Sequence, residues 1–208
     1  MKKNYKAHPW HGISYPKNFP NEIIVFIEIV STDTIKYEID KNSGYLMIDR
    51  PQKFSNIVPS LYGFMPKTYC GNKIAELANL IESNNNINYE GDKDPLDVLV
   101  LTSHQVTHGD ILLKAIPIGG FCMIDKKEAD DKIIAVLFDD HVYGKIKDIS
   151  ELSSEIILRL KHYFLTYKSN PDKKTNLVAI KKVYNSIYAK KVIQASVKDY
   201  NHHILLKK

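Results

Sequence analysis

The chain has 208 residues, 44% hydrophobic and 25% charged, a composition that suits one well-packed globular domain with room for an appendage. Its net charge of +5, from 29 basic and 24 acidic side chains, favours small anionic partners but is too mild to indicate nucleic-acid binding on its own. Cys70 and Cys122 are the two cysteines; they exclude a disulfide framework and a cysteine zinc site, and read as reduced thiols of a cytoplasmic protein.

Residues 1–21, with Pro9, Gly12, Pro16 and Pro20, read as an irregular lead-in arm. The basic start is not followed by an apolar stretch, so no signal peptide is expected. The longest apolar run, IIVFIEIV at 23–30, is too short to cross a bilayer and reads as a strand that carries one acid, Glu28. Residues 35–40, IKYEID, alternate: Ile35, Tyr37 and Ile39 share one face, Lys36, Glu38 and Asp40 the other. Lys41-Asn42-Ser43-Gly44 is a turn, and 45–49 return as the second strand of a hairpin stopped by Pro51.

Further along, Ile74, Leu77, Ala78 and Ile81 predict a helix over 72–83. Strands follow at 96–101, 111–118 and 133–138, with Thr107-His108-Gly109-Asp110 and Gly119-Gly120 as turns around the middle one. Asp148-Ile149-Ser150-Glu151 resembles a capping box opening a helix that carries Leu152, Ile156, Leu160, Tyr163, Phe164 and Tyr167 and ends before Pro171. A strand at 177–183 and a helix over about 186–203 complete the chain. There is no internal repeat. Many short strands followed by late helices predict an α+β domain with a mainly β core, a barrel or curled sheet rather than a doubly wound parallel sheet.

The chemistry concentrates in GDKDPLDVLV, residues 91–100, where Asp92, Asp94 and Asp97 crowd the mouth of an apolar strand. Two like charges about 4 Å apart repel by about 4 kcal/mol at an effective dielectric near 20. Converged carboxylates therefore either take up protons or hold a hard cation such as Mg²⁺, Mn²⁺ or Ca²⁺. A calcium-binding EF-hand loop does not fit, because Asp97 stands where its glycine belongs and Ser103 where its final glutamate belongs. By itself the stretch is equally compatible with three solvated loop acids. A second acidic group, Asp125, Glu128, Asp130 and Asp131, lies between two apolar stretches and precedes Lys132. Glu28, Lys36 and Glu38 add charge to early strands, and Arg50, Tyr62, Tyr167 and Lys168 complete the set. Carboxylates for metals, together with lysine, arginine and tyrosine for phosphate oxygens, describe a metal-assisted phosphoryl-transfer site. The histidines lack metal spacing with a third ligand and read as surface or structural groups.

The stretch GDKDPLDVLV resembles the D-x-D-P-x-D-V signature of family I soluble inorganic pyrophosphatases. The likeness continues in order through VFIE, IKYEIDKNSGYLMIDR, YGFMPKT, ADDKIIAV and HYFLTYK, from about Glu22 to Lys168. It implies a five-stranded OB-like barrel flanked by two or more helices, the whole chain forming one pyrophosphatase domain. It also implies hydrolysis of pyrophosphate to two orthophosphates by a metal-activated water, without a covalent intermediate, in a homo-oligomeric enzyme using Mg²⁺, with Mn²⁺ as an alternative. By position, Asp92, Asp97 and Asp130 are expected to hold tightly bound metals. Asp125 is expected at a metal carried by the substrate, with Glu28 and Glu38 completing the acidic lining. Asp94 is the expected catalytic group at the attacking water. Lys36, Arg50, Tyr62, Lys132, Tyr167 and Lys168 are expected to hold phosphate oxygens. The chain departs from the pattern at Val58, where many members have tyrosine, and in a lengthened segment at 70–90. An OB-fold nucleic-acid module and a non-catalytic divalent-cation binder are the competing readings, and the acidic lining opposes the first of them.

Overall fold

A computed structural model describes residues 6–53, 55–82, 88–169, 172 and 178–206. In chain order the elements are β1 (Ile23–Ile29), β2 (Ile35–Ile39), β3 (Leu46–Pro51), β4 (Leu61–Phe64), α1 (Asn72–Ile81), β5 (Glu90–Gly91), β6 (Asp97–Leu101) and β7 (Ile111–Asp125). They continue with β8 (Glu128–Ala129), β9 (Lys132–Leu137), a 3₁₀ turn (Ile149–Glu151), α2 (Ser154–Thr166), β10 (Val178–Asn185) and α3 (Ser186–Leu206). Residues 6–22 contain turns but no strand or helix, as the proline spacing predicts. The arm is nonetheless anchored, because Trp10 is buried and its Nε1 donates to Thr68 O at 2.8 Å.

Five strands form a ring. β1 pairs β4, β4 pairs β6, β9 pairs β7, and β7 returns to β1, all antiparallel; β6 and β9 are parallel. This is the five-stranded core that the family resemblance implies. It explains why β1 is apolar almost throughout: six of its seven residues are buried, because both of its faces are covered. Val25 and Ile27 pack with α1 and α3 side chains such as Ile74 and Val192, whereas Ile29 packs with Phe121 and Phe164 under α2.

One expectation fails in an instructive way. Gly119-Gly120 is not a turn. β7 runs straight through it for 15 residues, its first part on β1 and its last part on β10. Glycine stands there because neighbours come close: a Cβ at Gly119 would lie 2.6 Å from Tyr184 O, and one at Gly120 would lie 2.5 Å from the Tyr184 ring. The tetrapeptide LYGF, which carries no strand pattern, is β4 in the middle of the ring. A Cβ at its Gly63 would fall 1.9 Å from Phe26 O, so the strand trades a side chain for close approach to β1.

The capping box forms as the sequence predicts, but it opens the 3₁₀ turn rather than the long helix. α2 begins later, with Ser153 Oγ accepting from Glu155 N. Asp148 also accepts from Ser186 N at 2.9 Å, which ties the start of α3 to the same carboxylate. Burial pushes Asp148 up, yet the N–H groups of Ser186 and Ser150 outweigh it and bring its pKa to about 2. A depressed carboxylate stabilises the fold above its unfolded pKa and loses that contribution as pH falls through the folded one. Asp148→Ala is therefore expected to cost about 1 kcal/mol at neutral pH. In thermal melts from pH 7 down to pH 2 the gap to wild type should close below the ordinary aspartate range.

Of the segment at 70–90, residues 83–87 lie outside the described residues, and α1 is built into the core. Ile74, Leu77 and Ala78 of α1 are buried against Ile193 and Val192 of α3. α1 has no cap of its own. Instead Asp199, on α3, accepts from Gly71 N at 2.9 Å, Lys73 N at 2.9 Å and Ile74 N at 3.1 Å. Asp199→Ala is expected to lower stability by about 2 kcal/mol, read as a drop in the denaturation midpoint with unchanged slope.

Candidate active site

At one mouth of the ring lies a cavity of about 210 Å³. Glu28 enters from β1, Lys36 and Glu38 from β2, Arg50 from β3, and Tyr62 from β4. The turn before β6 supplies Asp92 and Asp94, and β6 itself supplies Asp97. Asp125 ends β7, Asp130 precedes β9, Lys132 begins β9, and Tyr167 and Lys168 follow α2. Every site residue named from the sequence thus lines one cavity, although they are spread from position 28 to position 168.

Local chain geometry puts the acids there. Asp92 Oδ1 accepts from Asp94 N at 3.0 Å, and Lys93 takes a left-handed φ of 66°, so the turn folds back on itself. Cys70 N donates to Asp94 O at 2.8 Å and Lys93 N to Cys70 O at 3.0 Å, which clamps the turn to the segment before α1. Asp97 opens β6 beside Lys132, which opens β9, as direct partners in the parallel pair.

The charges interlock. Lys132 is 2% exposed and contacts both Asp97 and Asp130. Tyr62 Oη donates to Asp97 Oδ2 at 2.6 Å. Lys36 contacts Glu38 and reaches Asp49 at 3.0 Å, and Arg50 meets the same Asp49 oxygen at 2.5 Å. Lys168 contacts Asp125. Glu28 is buried and accepts from Ile39 N at 2.8 Å, yet burial still raises its pKa to about 8. Burial also raises Asp92 and Asp97. Asp130 goes the other way: burial pushes it up, but the Lys132 ammonium and hydrogen bonds from Lys132 and Asp92 hold it down. Lys132 itself is driven well above its ordinary value, since Asp130 and Asp97 outweigh the effect of burial.

The donor set fits a hard divalent cation. It is all oxygen, and Asp125 Oδ1 is buried with no hydrogen-bond partner. Among the described residues, however, no three acidic, histidine or cysteine side chains stand at metal-ligand spacing. Ammonium groups lie among the carboxylates instead, Lys132 against Asp97 and Asp130, and Lys168 against Asp125.

The sequence reading did not single out Lys41 and Tyr163 as site groups, and it noted Glu128 only as part of an acidic run; all three line the cavity. Lys41 contacts Asp94. It sits in the loop of the β2–β3 hairpin, and no local pattern reveals that this loop faces the 92–95 turn. Val58 is fully buried in the core under α2 and does not line the cavity. No histidine lines it among the described residues, and His11 pairs with Tyr200 Oη at 2.8 Å in the anchored arm.

A sequence model of the family described as inorganic pyrophosphatase matches residues 25–201. The inorganic pyrophosphatase of Chlamydia trachomatis serovar L2 is 48% identical over 198 residues, covering 93% of this chain and 94% of that protein. The soluble inorganic pyrophosphatase of Zea mays is 36% identical over 204 residues, covering 98% of this chain and 84% of that one. The solved structure of the inorganic pyrophosphatase from Helicobacter pylori aligns with a TM-score of 0.70 at 34% identity, over 87% of this chain and 94% of that one. With matches of this extent in sequence and fold, the chain belongs to the inorganic pyrophosphatase family.

Proposed function

We propose that the cavity at the ring mouth hydrolyses inorganic pyrophosphate to two orthophosphates, and that it does so with bound Mg²⁺. The observation that carries this is the interleaving, in one cavity, of seven aspartate and glutamate side chains around Asp94 with five basic and three tyrosine side chains. A highly anionic substrate needs the second set, and a divalent cation needs the first.

Asp92, Asp97 and Asp130 would hold the tightly bound ions, with Asp125 at an ion arriving with substrate and Glu28 and Glu38 completing the lining. When bound, the cation supplies Lewis-acid charge and lowers the pKa of the attacking water. The chain's own residues do the rest. Lys36, Arg50, Lys132 and Lys168 neutralise phosphate oxygens, and Tyr62 and Tyr167 donate hydroxyl hydrogen bonds to them. Asp94, half exposed at the mouth, accepts the proton of the water. No nucleophilic side chain is needed. Orthophosphate release by the pure protein should stop in EDTA and return with Mg²⁺; release that is indifferent to EDTA would refute the metal requirement.

Lys41 contacts Asp94 from the hairpin and adds a positive charge at the mouth. Lys41→Met is expected to raise KM for pyrophosphate several-fold while leaving kcat within about threefold, as for a group that binds ground state and transition state alike. Steady-state kinetics distinguish this from a chemical role, which would lower kcat.

The reading extends to the whole chain as a single catalytic domain, with the arm at 1–21 and the segment at 70–90 as parts of it. A homo-oligomer is supported by Tyr45, Met47 and Ile48, which the hairpin exposes, and sedimentation of the purified protein tests it. A cytoplasmic location is supported by the free, buried thiols of Cys70 and Cys122.

A further inference from the structure

A second cavity, of about 200 Å³, lies where β1, β4 and β6 meet the N-terminal half of α2. Ser31 follows β1, Ser60 precedes β4, Thr102 follows β6, and Arg159 reaches in from α2. His104 and Tyr143 complete its polar lining, and Leu61, Val100 and Leu160 give it an apolar wall.

One polar group of this cavity has no structural use. Ser60 is 7% exposed and its hydroxyl has no hydrogen-bond partner, a cost that buried polar groups rarely carry without a ligand or water. Arg159, exposed on α2, has no ion pair among the described residues, and none of the described residues that line the cavity is acidic. The nearby acid, Asp140, is committed elsewhere: it accepts from Thr102 Oγ1 at 2.8 Å, Ser103 N at 2.8 Å, Val142 N at 2.9 Å and Tyr143 N at 2.8 Å. Among the described residues Arg159 is therefore the one permanent charge lining the cavity, the reverse of the acid-rich cavity at the ring mouth.

We propose that this cavity is a second anion site, taking a small oxyanion of orthophosphate size. The planar guanidinium of Arg159 can fork onto two oxygens, and the hydroxyls of Ser60 and Ser31 supply neutral donors. The volume exceeds the roughly 30 Å³ share of a single water several times over, which leaves room for a tetrahedral ion. The site is separate from the catalytic cavity but built on the same elements: α2 carries Arg159 here and Phe164 there, and Leu61 adjoins Tyr62 on β4.

The test is titration of the ¹⁵N-labelled full chain with orthophosphate, without added metal, followed by NMR. The expected result is saturable shifts of the Arg159 Nε–H and of the Ser60 and Thr102 amides, fitted by a dissociation constant different from that at Tyr62 and Asp97. Arg159→Gln should weaken binding at Ser60 and Thr102 at least tenfold, leaving the shifts at Tyr62 and the rate of pyrophosphate hydrolysis unchanged. Shifts confined to the catalytic cavity, or an unsaturated drift at Arg159, would overturn the proposal. So would unaltered Ser60 and Thr102 shifts in Arg159→Gln.

Discussion

Asp94→Asn is expected to lower kcat by about 10²–10⁴-fold, the usual contribution of a positioned general base, while divalent-cation affinity stays within a few-fold of wild type. The reason lies in how Asp92 and Asp94 of the turn and Asp97 of β6 differ. Burial raises Asp92 and Asp97, and they stand within the charge network of Asp130 and Lys132. Asp94 is half exposed, and Lys41 holds it at the mouth, where water enters. The amide is isosteric and keeps the turn, since Asp94 contributes to that turn through its N–H and C=O rather than its carboxylate. Calorimetric Mg²⁺ binding alongside single-turnover hydrolysis separates the two effects. A variant with near wild-type turnover would remove Asp94 from the chemistry, and one that lost metal affinity in proportion to rate would move it into the ligand set.

Lys132→Met is expected to have the largest effect on stability. The ammonium is buried against Asp97 and Asp130. Removing it leaves two carboxylates facing each other in the interior, a change that costs about 3–5 kcal/mol when one partner of a buried pair is lost. For a chain of this size that is a fall in Tm of roughly 6–20 °C. Because Lys132 is also a proposed phosphate ligand, kcat/KM should fall as well. Added Mg²⁺ should restore more Tm to the variant than it adds to wild type, since a cation can take over the neutralising charge. Equal Mg²⁺ responses in both proteins would mean that Asp97 and Asp130 do not share a cation site.

The pH dependence of stability has a second source in Glu28. Its raised pKa of about 8 means that the folded state binds its proton more tightly than the unfolded state does. The protonated form therefore favours folding, and that contribution is present in full below the ordinary glutamate pKa and lost as pH rises toward 8. Glu28→Gln should flatten the metal-free melting profile between about pH 5 and pH 8.

Much of this was legible one residue at a time. The alternation of IKYEID put Lys36 and Glu38 on one face, and both line the cavity at the ring mouth. The apolar run of β1, broken only by Glu28, reads as a strand that carries one acid, and that acid lines the same cavity. Ordered short motifs from 22 to 168 brought the family into view before any contact was known, because charge spacing along strands survives in sequence.

What sequence could not decide depends on which surfaces approach one another. Gly63, Gly119 and Gly120 look like breaks in a pattern, yet each lies inside a strand, because its missing side chain is filled by a distant neighbour. Lys41 reads as a loop lysine until the hairpin meets the 92–95 turn. The cap of α1 comes from Asp199, more than a hundred residues away. In each case periodicity records what a residue does along its own strand or helix. Close approach, capping across the chain and pairing of opposite charges are set only when the ring closes and brings far segments into contact.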